Sequence, residues 1–245
     1  MVPNAVFLPR KPSPPDEPVR RARHRATREF LRAAIQETWR GRIALVSSFG
    51  TEAAVLLHLV ASIDPATPVL FVDTLKLFSE TLRYRDLLTA RLGLRNVRTI
   101  QPDPARLAAI DPDGDLWRRD PDACCALRKV EPLSQALAGF DAWINGRKRF
   151  HGDRRAGLAA VEQADGRTKL NPLADWSPED IEGYFAAHNL PRHLLEADGY
   201  TSIGCMPCSA PTLAGEDRRA GRWRGLNKTE CGIHLSLVPP LRGEE

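Results

Sequence analysis

Five cysteines carry most of the chemical information in this sequence, and they fall into three groups. Cys124 and Cys125 are adjacent, Cys205 and Cys208 form a CxxC pair, and Cys231 stands alone near the end. Four thiolates in two pairs suggest one tetrathiolate metal site. Zinc usually takes two CxxC-like loops, whereas the sulfurs of an adjacent pair more naturally meet different irons of a cluster. The spacing therefore favours a [4Fe–4S] cluster over zinc, and a redox-active CxxC with two buried free thiols is the alternative.

The fifth cysteine has the surroundings of a nucleophile. An odd number of cysteines is a poor disulfide framework. Lys228 and His234 are close to Cys231 in sequence, and cationic neighbours favour the thiolate, the reactive form of cysteine. Gly232 and the position near the chain end suggest a mobile segment that could deliver the sulfur. The alternative is an incidental surface thiol.

Two runs of basic residues flank the thiols. Such runs are usually solvated faces, but here they could hold a dianionic substrate and its leaving group, because guanidinium groups bind sulfate and phosphate through charge-assisted hydrogen bonds. The members are Arg147, Lys148, Arg149, Arg154 and Arg155 in the first run and Arg218, Arg219, Arg222 and Arg224 in the second.

A candidate anion-binding turn lies earlier in the chain. Ile43–Val46 is a short apolar run typical of a buried parallel strand, and an apolar helix follows to about Ser62. Between them, Ser47, Ser48 and Gly50 offer hydroxyls, a glycine that permits a tight turn, and free N–H groups at a helix N-terminus. The turn has neither the lysine of a Walker A loop nor a GxGxxG pattern. A plain strand-to-helix turn is therefore an equal alternative.

The elements that must position these groups alternate between strand and helix. The pattern predicts further strands over Val69–Val72 and Val97–Ile100, with a helix from about Ser79 to Leu92 between them. Alternating strands and helices joined by right-handed crossovers imply a doubly wound, mostly parallel sheet. The remaining predicted elements are a helix over Lys129–Ala138, a strand over Ala142–Asn145, a helix from the N-cap Ser177 to about His188, and a loop-rich segment after Pro191.

Length and composition indicate one globular domain with a leader. The chain has 245 residues, of which 42% are hydrophobic and 27% charged, within the ordinary range for soluble globular proteins. We expect a flexible Pro-rich leader over residues 1–18 and one domain over residues 19–236. That domain would end in a catalytic tail over about residues 209–236, followed by a terminal tail over residues 237–245.

The charge distribution argues against several classes of protein. The net charge is +4, but residues 1–42 hold ten Lys or Arg and four acids, which leaves 25 bases and 27 acids for the rest. A nucleic-acid-binding body is therefore not expected. The longest apolar stretch, Ala53–Ala61, is far shorter than the ~20 residues of a membrane span, so no membrane helix is expected. Because no apolar signal-peptide core follows Met1, we expect a cytoplasmic protein.

Taken together, the motifs resemble the assimilatory adenylyl-sulfate (APS) and phosphoadenylyl-sulfate (PAPS) reductase family, specifically its iron–sulfur branch. The resemblance covers about residues 40–236. Its most specific part is the order of the CC pair, the CxxC pair and the ECGIH segment Glu230–His234. The other matching pieces are Ser47–Gly50, Asp73–Thr74, Phe78–Thr81, Arg128–Pro132, Leu173–Trp176, Gly199–Cys205 and Gly221–Trp223.

The resemblance implies a fold of the adenine-nucleotide alpha-hydrolase type, which is ATP-pyrophosphatase-like, and a specific reaction. The nucleotide would lie over the Ser47–Gly50 turn, and the Cys231 thiolate would attack the sulfate sulfur of APS. AMP would leave, and an S-sulfocysteine would remain on the enzyme. Thioredoxin or a glutaredoxin-like dithiol would then attack Cys231 and release sulfite for cysteine biosynthesis.

The same resemblance assigns roles to individual residues. Lys129 would bridge the charge of the cluster to the substrate sulfate, and the cluster itself would not change redox state. The implied cluster ligands are Cys124, Cys125, Cys205 and Cys208; the implied catalytic residues are Cys231, His234 and Lys129; the implied substrate-binding residues are Ser47, Ser48, Gly50, Arg149, Arg219 and Arg222. The sequence leaves open whether the chain forms a homo-oligomer.

The sequence departs from the family pattern at two places. Leu75 stands where the family often has glycine after Asp73–Thr74, which leaves the backbone path there open. The basic loop reads Arg147–His151 where relatives often carry Arg-x-x-Gln, which weakens the transfer of phosphate-binding roles into that loop. Neither departure affects the thiols.

Three alternatives remain. A PAPS reductase with the same cluster is the first, because the additional basic residues could accommodate a 3′-phosphate, although four cluster thiols favour APS. ATP-pyrophosphatase-type thiolating or adenylating enzymes share the fold, but their Ser-Gly-Gly-x-Asp-Ser signature is absent. A zinc-stapled module that grips nucleic acid with a basic leader is the non-catalytic alternative.

Overall fold

The computed structural model describes residues 17–152, 155–226 and 228–234. The first helix begins at Glu17, inside the stretch expected to be a flexible leader. The rest of that leader and the expected terminal tail over residues 237–245 lie outside the described residues. In the part of the chain that is described, no helix is long and apolar enough to cross a membrane.

A six-stranded sheet forms the centre of the fold. Its strands are β1 (Ile43–Val46), β2 (Val69–Val72), β3 (Val97–Ile100), β4 (Ala142–Ile144), β5 (Val161–Ala164) and β6 (Arg167–Leu170). The spatial order is β3-β2-β1-β4-β6-β5. Neighbouring strands pair in parallel except β5 and β6, which are antiparallel. The predicted mostly parallel sheet is confirmed, and β4 ends one residue earlier than expected.

The strand order places a natural ligand-binding edge after β1. This strand lies between β2 and β4, and the chain runs outward to β2 and β3 before it returns on the other side to form β4. At such a switch point the connecting loops diverge and leave a crevice at the carboxyl ends of the strands. The Ser47–Gly50 turn follows β1 directly, so it lies at this crevice.

Helices surround the sheet, and most of the predicted ones are present. The α-helices of the described residues are α1 (Glu17–Arg32), α2 (Ala53–Ala61), α3 (Ser79–Leu92), α4 (Pro104–Ile110), α5 (Leu116–Arg119), α6 (Pro121–Cys125), α7 (Glu131–Ala136) and α8 (Pro178–Ala187). Shorter helical turns are the π-helical segments Ala33–Thr38 and Ala126–Val130 and the 3-10 turns Arg149–His151, Leu194–Glu196 and Met206–Cys208. The helix expected over Lys129–Ala138 begins earlier, in a π-helical turn, and ends at Ala136.

The start of α8 confirms the predicted N-cap. The Ser177 hydroxyl accepts a hydrogen bond from the N–H of Asp180, and the Asp180 carboxylate accepts one from the N–H of Ser177. This reciprocal capping box satisfies backbone donors that a helix start leaves free. Pro178 occupies the first helical position, where a missing N–H costs nothing.

Both faces of the sheet are covered, which explains the continuous apolar strands. Ile43 and Leu45 of β1 belong to one buried cluster with residues of α2, α3 and α8. Ala44 and Val46 belong to another, with Leu133 of α7. Because successive side chains of a strand point to opposite faces, β1 contributes to a core on each side of the sheet.

The β5–β6 hairpin is the main element that the sequence analysis missed. Asp165 and Gly166 form its turn with φ angles of 54° and 72°, and two left-handed central residues are what a type I′ hairpin turn requires. The Asp-Gly pair is itself a hairpin signal. However, β5 and β6 carry Glu162, Arg167 and Lys169 and form no apolar run, so their strand character is not visible from hydrophobicity. Helices α4, α5 and α6 were not predicted either.

Leu75 allows the strain of a left-handed backbone conformation to be tested. It is left-handed, with a φ of 59°, and its side chain is 52% exposed. We expect Leu75→Gly to leave the free energy of unfolding within about 1 kcal/mol of wild type, because relief of ~1–2 kcal/mol of left-handed strain offsets the ~0.5–1 kcal/mol entropy cost of glycine. Leu75→Val should lower that free energy by about 1 kcal/mol, because a β-branched residue is most strained there. Urea unfolding measures both variants, and equal stability of the two would contradict this account.

Candidate active site

A cleft of about 230 Å³ opens at the carboxyl ends of β1 and β4. The turn after β1 and the loop after β4 form one side of it, and the C-terminal segment over residues 201–234 contributes the other. The predicted site residues that line the cleft are Ser47, Ser48, Gly50, Lys129, Arg219, Arg222, Cys231 and His234. The fold therefore brings most of the predicted site into one place.

The turn after β1 differs in detail from the prediction. Its left-handed residue is Phe49, with a φ of 48°, and not Gly50. The Phe49 ring is fully buried and packs edge-on against Phe71 at 5.3 Å, while its N–H donates to the Ser47 hydroxyl at 3.2 Å. A Cβ at Gly50 would meet Ser48 Oγ only at an ordinary 3.5 Å. The glycine is thus not required by the turn, and its small size leaves room in the cleft.

The four paired cysteines line a second, smaller cavity beside the cleft. Cys124 and Cys125 are the last two residues of α6. Cys205 directly precedes the 3-10 turn Met206–Cys208, and Cys208 is its last residue. The first three are buried and Cys208 is partly exposed. In the described ranges, no group of three or more His, Cys, Asp or Glu side chains could hold a metal ion as placed. The fold nevertheless brings together the two cysteine pairs that are distant in sequence.

The protonation of these thiols depends on their surroundings. Burial raises the pKa of the Cys124 thiol to about 11 and that of Cys125 to about 12. Burial acts in the same direction on Cys205, but nearby Lys129 and the Thr74 hydroxyl, whose Oγ1 lies 3.2 Å from Cys205 Sγ, outweigh it and lower the pKa. Metal binding to such thiols has to displace their protons.

Lys129 joins the two cavities. It lines the cysteine cavity together with Lys76 and Arg128, and it also lines the cleft that contains Cys231. Burial lowers the pKa of Lys129, but Cys205, Cys231 and a further thiol outweigh burial and raise it. The ammonium therefore stays charged between the cysteines and the cleft. The π-helical turn that follows α6 carries Lys129.

Arg222 reaches the cleft as predicted. Its guanidinium stands over the Trp223 ring at 4.4 Å and donates to the Ile203 carbonyl at 3.2 Å. Gly204 makes this position possible, because a Cβ at that residue would lie 2.2 Å from Arg222 Nη2. A larger residue at Gly204 would displace the guanidinium.

Arg149, by contrast, does not reach the cleft. Its Nε donates to the Leu158 carbonyl at 2.7 Å and its Nη1 to Asp175, and its side chain is 42% exposed. The predicted phosphate contact is therefore not supported, because a carboxylate outside the cleft holds this guanidinium. Arg147 and Lys148 of the same loop line the cleft instead.

Glu52 is a largely buried carboxylate in the cleft, 10% exposed, to which the sequence analysis gave no role. It pairs with Lys148 at 2.6 Å, with Arg218 at 3.0 Å and with His151 at 3.2 Å. Burial opposes ionisation, but Lys148 and His151 hold the pKa of Glu52 well below its ordinary range. One carboxylate thus neutralises cations from two separate loops.

Glu230 does the same on the other side of the cleft. Its carboxylate receives two hydrogen bonds from Arg155, at 2.6 and 3.0 Å, and lies 3.4 Å from Arg219. Burial raises the pKa of Glu230, but these arginines outweigh burial and lower it. Because Glu230 directly precedes Cys231, this ion pair fixes the chain next to the candidate nucleophile.

The remaining charges define where an anion would bind. Arg147 also has a carboxylate partner, Glu162. Within the described part of the chain, the two cleft-lining Lys or Arg side chains without a carboxylate partner are Lys129 and Arg222. Arg222 lies on the cysteine side as well, since its Nε donates to the Cys208 carbonyl at 3.4 Å. An entering anion is therefore attracted most strongly to the region between the cleft and the cysteines.

His234 anchors the C-terminal tail. Its ring is stacked on Trp143 at 5.7 Å between centroids, and its carbonyl accepts a hydrogen bond from Lys169 at 3.1 Å. Burial, together with nearby arginines, lowers the pKa of His234 well below its ordinary range. The imidazole is therefore neutral near pH 7, so the expectation that it is a cationic neighbour of Cys231 was wrong.

Glu52 and Glu230 both lie beside motifs that the sequence showed, but the sequence did not reveal their ion-pair partners. Glu52 directly follows the turn after β1, and Glu230 opens the ECGIH segment. Their partners Lys148 and Arg155 are 96 and 75 residues away in the chain. A sequence pattern gives the residue types, whereas the pairing depends on the folded structure.

Comparison with known proteins agrees with this geometry. The family model described as the phosphoadenosine phosphosulfate reductase domain matches residues 42–211. An adenosine 5′-phosphosulfate reductase of Mesorhizobium japonicum is 51% identical over 208 residues, which are 85% of this chain and 82% of the relative. One from Streptomyces coelicolor is 42% identical over 212 residues, covering 84% and 87% of the two chains.

Solved structures agree on the fold. The phosphoadenylyl-sulfate reductase of Candida auris superimposes with a TM-score of 0.64 at 23% identity, covering 81% of this chain and 99% of that one. Yeast FAD synthetase superimposes with a TM-score of 0.55 at 18% identity, covering 81% and 70%. These likenesses confirm the expected nucleotide-binding alpha-hydrolase type of fold. From the family match and the identity to its relatives, the chain belongs to the phosphoadenosine phosphosulfate reductase domain family.

Proposed function

We propose that this protein reduces adenylyl sulfate to sulfite and AMP with electrons from a protein dithiol, in assimilatory sulfate reduction towards cysteine. One observation carries the proposal: Cys231, Lys129 and Arg222 meet in the cleft at the carboxyl end of β1. Such a cleft is where a nucleotide binds in this class of sheet. The adenosine 5′-phosphosulfate reductases named above support the choice of substrate.

The charges of the cleft orient the substrate. The AMP part lies over the turn that carries Ser47, Ser48 and Gly50, whose hydroxyls and N–H groups suit a phosphate. The sulfate lies near Lys129 and Arg222, which have no carboxylate partner in the described residues. Positive charge on these groups stabilises the charge that develops on the leaving AMP.

The reaction consists of two displacements at sulfur. The Cys231 thiolate attacks the sulfate sulfur, the bond from that sulfur to the bridging oxygen breaks, and AMP leaves with the electron pair. The enzyme is left with a Cys231–S–SO₃⁻ group. One thiolate of the dithiol then attacks Cys231 Sγ and sulfite leaves. The second thiol of the dithiol resolves the mixed disulfide, which restores the Cys231 thiol and leaves the dithiol oxidised.

The electron donor in this proposal is thioredoxin or a glutaredoxin-like protein in the cytoplasm. Its thiolate has to reach the sulfur of Cys231, which lines the cleft and is partly exposed. A dithiol is required because a single thiol would remain attached to Cys231 as a mixed disulfide. The five cysteines of the described chain are free, as a thiol-based mechanism needs.

The donor set of the cysteine cavity supports the [4Fe–4S] cluster that the family resemblance implies. Four thiols face one cavity whose wall also carries Lys76, Arg128 and Lys129, and these cations would offset the negative charge of metal-bound thiolates. The ligands would be Cys124, Cys125, Cys205 and Cys208. A bound cluster would supply negative charge and no electrons. Lys129, which lines both cavities, would hold its proton and direct its ammonium towards the cleft.

The charge balance favours APS over PAPS. Lys148, Arg155, Arg218 and Arg219 could have received an additional 3′-phosphate, but Glu52 and Glu230 already pair with them. We expect kcat/KM for APS to exceed that for PAPS by at least about tenfold. Sulfite release from both nucleotides with reduced thioredoxin measures this ratio. Equal rates, or a preference for PAPS, would overturn the assignment.

Replacing the nucleophile tests the proposed chemistry. Cys231→Ser should reduce sulfite release to background, because serine is not ionised at neutral pH and cannot form the thiosulfonate. Wild-type protein incubated with APS but without dithiol should carry a sulfonate adduct on Cys231, located by peptide mass spectrometry. An adduct on Cys205 or Cys208 would contradict the mechanism.

Replacing a cysteine of the second cavity tests the cluster. Cys124→Ser should lose most of its iron and of its brown colour, and its thermal stability should fall, because metal binding is coupled to folding. Cys231→Ser is the matched control, since it removes one thiol from the chain but none from the cysteine cavity. Iron content and visible absorbance of anaerobically purified protein measure the difference. A colourless, zinc-containing wild type would contradict the cluster.

A further inference from the structure

The tail that carries Cys231 has little backbone support. The described residues 228–234 belong to no helix or strand. Within the described chain, the Lys228 N–H donates to the Leu226 carbonyl, and no backbone N–H of residues 229–234 donates to another backbone carbonyl. The position of the tail therefore depends on side-chain contacts.

The polar and aromatic contacts fall at three points along the tail, and Ile233 adds apolar packing against the buried cluster that contains Leu133. Lys228 pairs with Asp122 at its start, and His234 rests on Trp143 at its end. The strongest set lies between them, at Glu230. It is also the set adjacent to Cys231.

The Glu230 contacts are directed and shielded from water. Both carboxylate oxygens accept from Arg155, at 2.6 and 3.0 Å. Arg219 adds a contact at 3.4 Å and a hydrogen bond of 2.8 Å to the carbonyl of Thr229. The side chains of Glu230 and Arg155 are each 11% exposed. A bidentate Arg–carboxylate pair fixes orientation as well as distance.

The third nitrogen of Arg155 also has a partner, so the position of this side chain is fixed at both ends of its guanidinium. Its Nη1 lies 3.2 Å from Nδ1 of His151, and His151 lies 3.2 Å from Glu52. The tail is thereby tied to the loop after β4 and, through it, to the start of α2. A change at Glu230 would remove the contact next to Cys231, while the contact between His151 and Glu52, which does not involve the tail, would remain.

We propose that Glu230 is a positioning residue that holds the Cys231 sulfur over the cleft through Arg155 and Arg219. The reaction for which it positions the sulfur is the one given under the proposed function, on which this inference rests. Glu230 exchanges no proton with substrate and forms no bond to it. Without the carboxylate, the tail keeps its outer contacts, the packing of Ile233 and the hydrogen bond from Arg219 to the Thr229 carbonyl, but it loses the ion pair adjacent to Cys231. Cys231 then spends more of its time away from the cleft.

The test compares Glu230→Gln with Glu216→Gln in the holoenzyme. Glu216 is the matched control, because it pairs bidentately with Arg224 at 2.7 and 2.9 Å on the same C-terminal segment but does not line the cleft. The measured quantity is the rate at which iodoacetamide alkylates Cys231 without substrate, followed by peptide mass spectrometry. Rates are measured over the same pH series for every variant, and the largest rate of each series is compared.

We expect Glu230→Gln to be alkylated at least about tenfold faster than wild type, since charge-assisted hydrogen bonds are lost, and Glu216→Gln to match wild type. In turnover, Glu230→Gln should lower kcat at least about tenfold with a smaller change in KM, because the nucleotide contacts remain. Glu230→Asp keeps the charge but is one methylene shorter, so its alkylation rate and its kcat should lie between those of wild type and Glu230→Gln. This variant also provides the test if Glu230→Gln does not fold.

Wild-type alkylation rates in Glu230→Gln or, if that variant does not fold, in Glu230→Asp would overturn the inference. So would equal acceleration in Glu216→Gln. The alkylation rate needs no substrate, so it reports on the tail even if the wild-type protein releases no sulfite from APS. A wild-type protein that releases no sulfite from APS would reject the proposed function and leave the positioning role of Glu230 intact.

Discussion

The need to balance cations at the carboxyl edge of the sheet organises the whole site. A cleft that receives an anion must carry positive charge, yet unpaired buried cations destabilise a folded chain. Glu52 and Glu230 resolve this conflict. Each carboxylate also joins segments that are distant in sequence, so the same contacts that neutralise the arginines assemble the walls of the cleft. Charge balance and site assembly are one feature of this fold.

The uneven distribution of these pairs gives the cleft a direction. The carboxylates lie beside the basic loop and the tail, whereas Lys129 and Arg222 stay without a carboxylate on the side of the cysteines, within the described chain. In the proposed reaction, this distribution of charge would orient the nucleotide with its sulfate towards Cys231. Lys129 links the two cavities, because it lines both of them. The neighbouring thiols raise the pKa of its ammonium, which keeps the positive charge at the cleft.

The sequence predicted what local patterns encode and missed what depends on distant partners. Local patterns predicted four of the five parallel strands, β1 to β4, in the right places. The cysteine spacing separated Cys231 from two pairs of thiols, which line one cavity. The β5–β6 strands carry no apolar run, so only their Asp-Gly turn could have indicated them. Arg149 was assigned to the substrate from the family resemblance, but Asp175, which pairs with its guanidinium, approaches only in the folded chain. The roles of Glu52 and Glu230 were hidden for the same reason.

The weak backbone support of the tail is consistent with the chemistry proposed for it. In that reaction, one sulfur faces a nucleotide inside the cleft and then a dithiol that belongs to another protein. A nucleophile on a strand or helix would be held by a ladder of backbone hydrogen bonds and could serve only the first partner well. The tail of Cys231 is held instead by side-chain contacts at separate points, which form no continuous ladder. Placing the nucleophile on such a segment thus lets one cysteine perform both displacements.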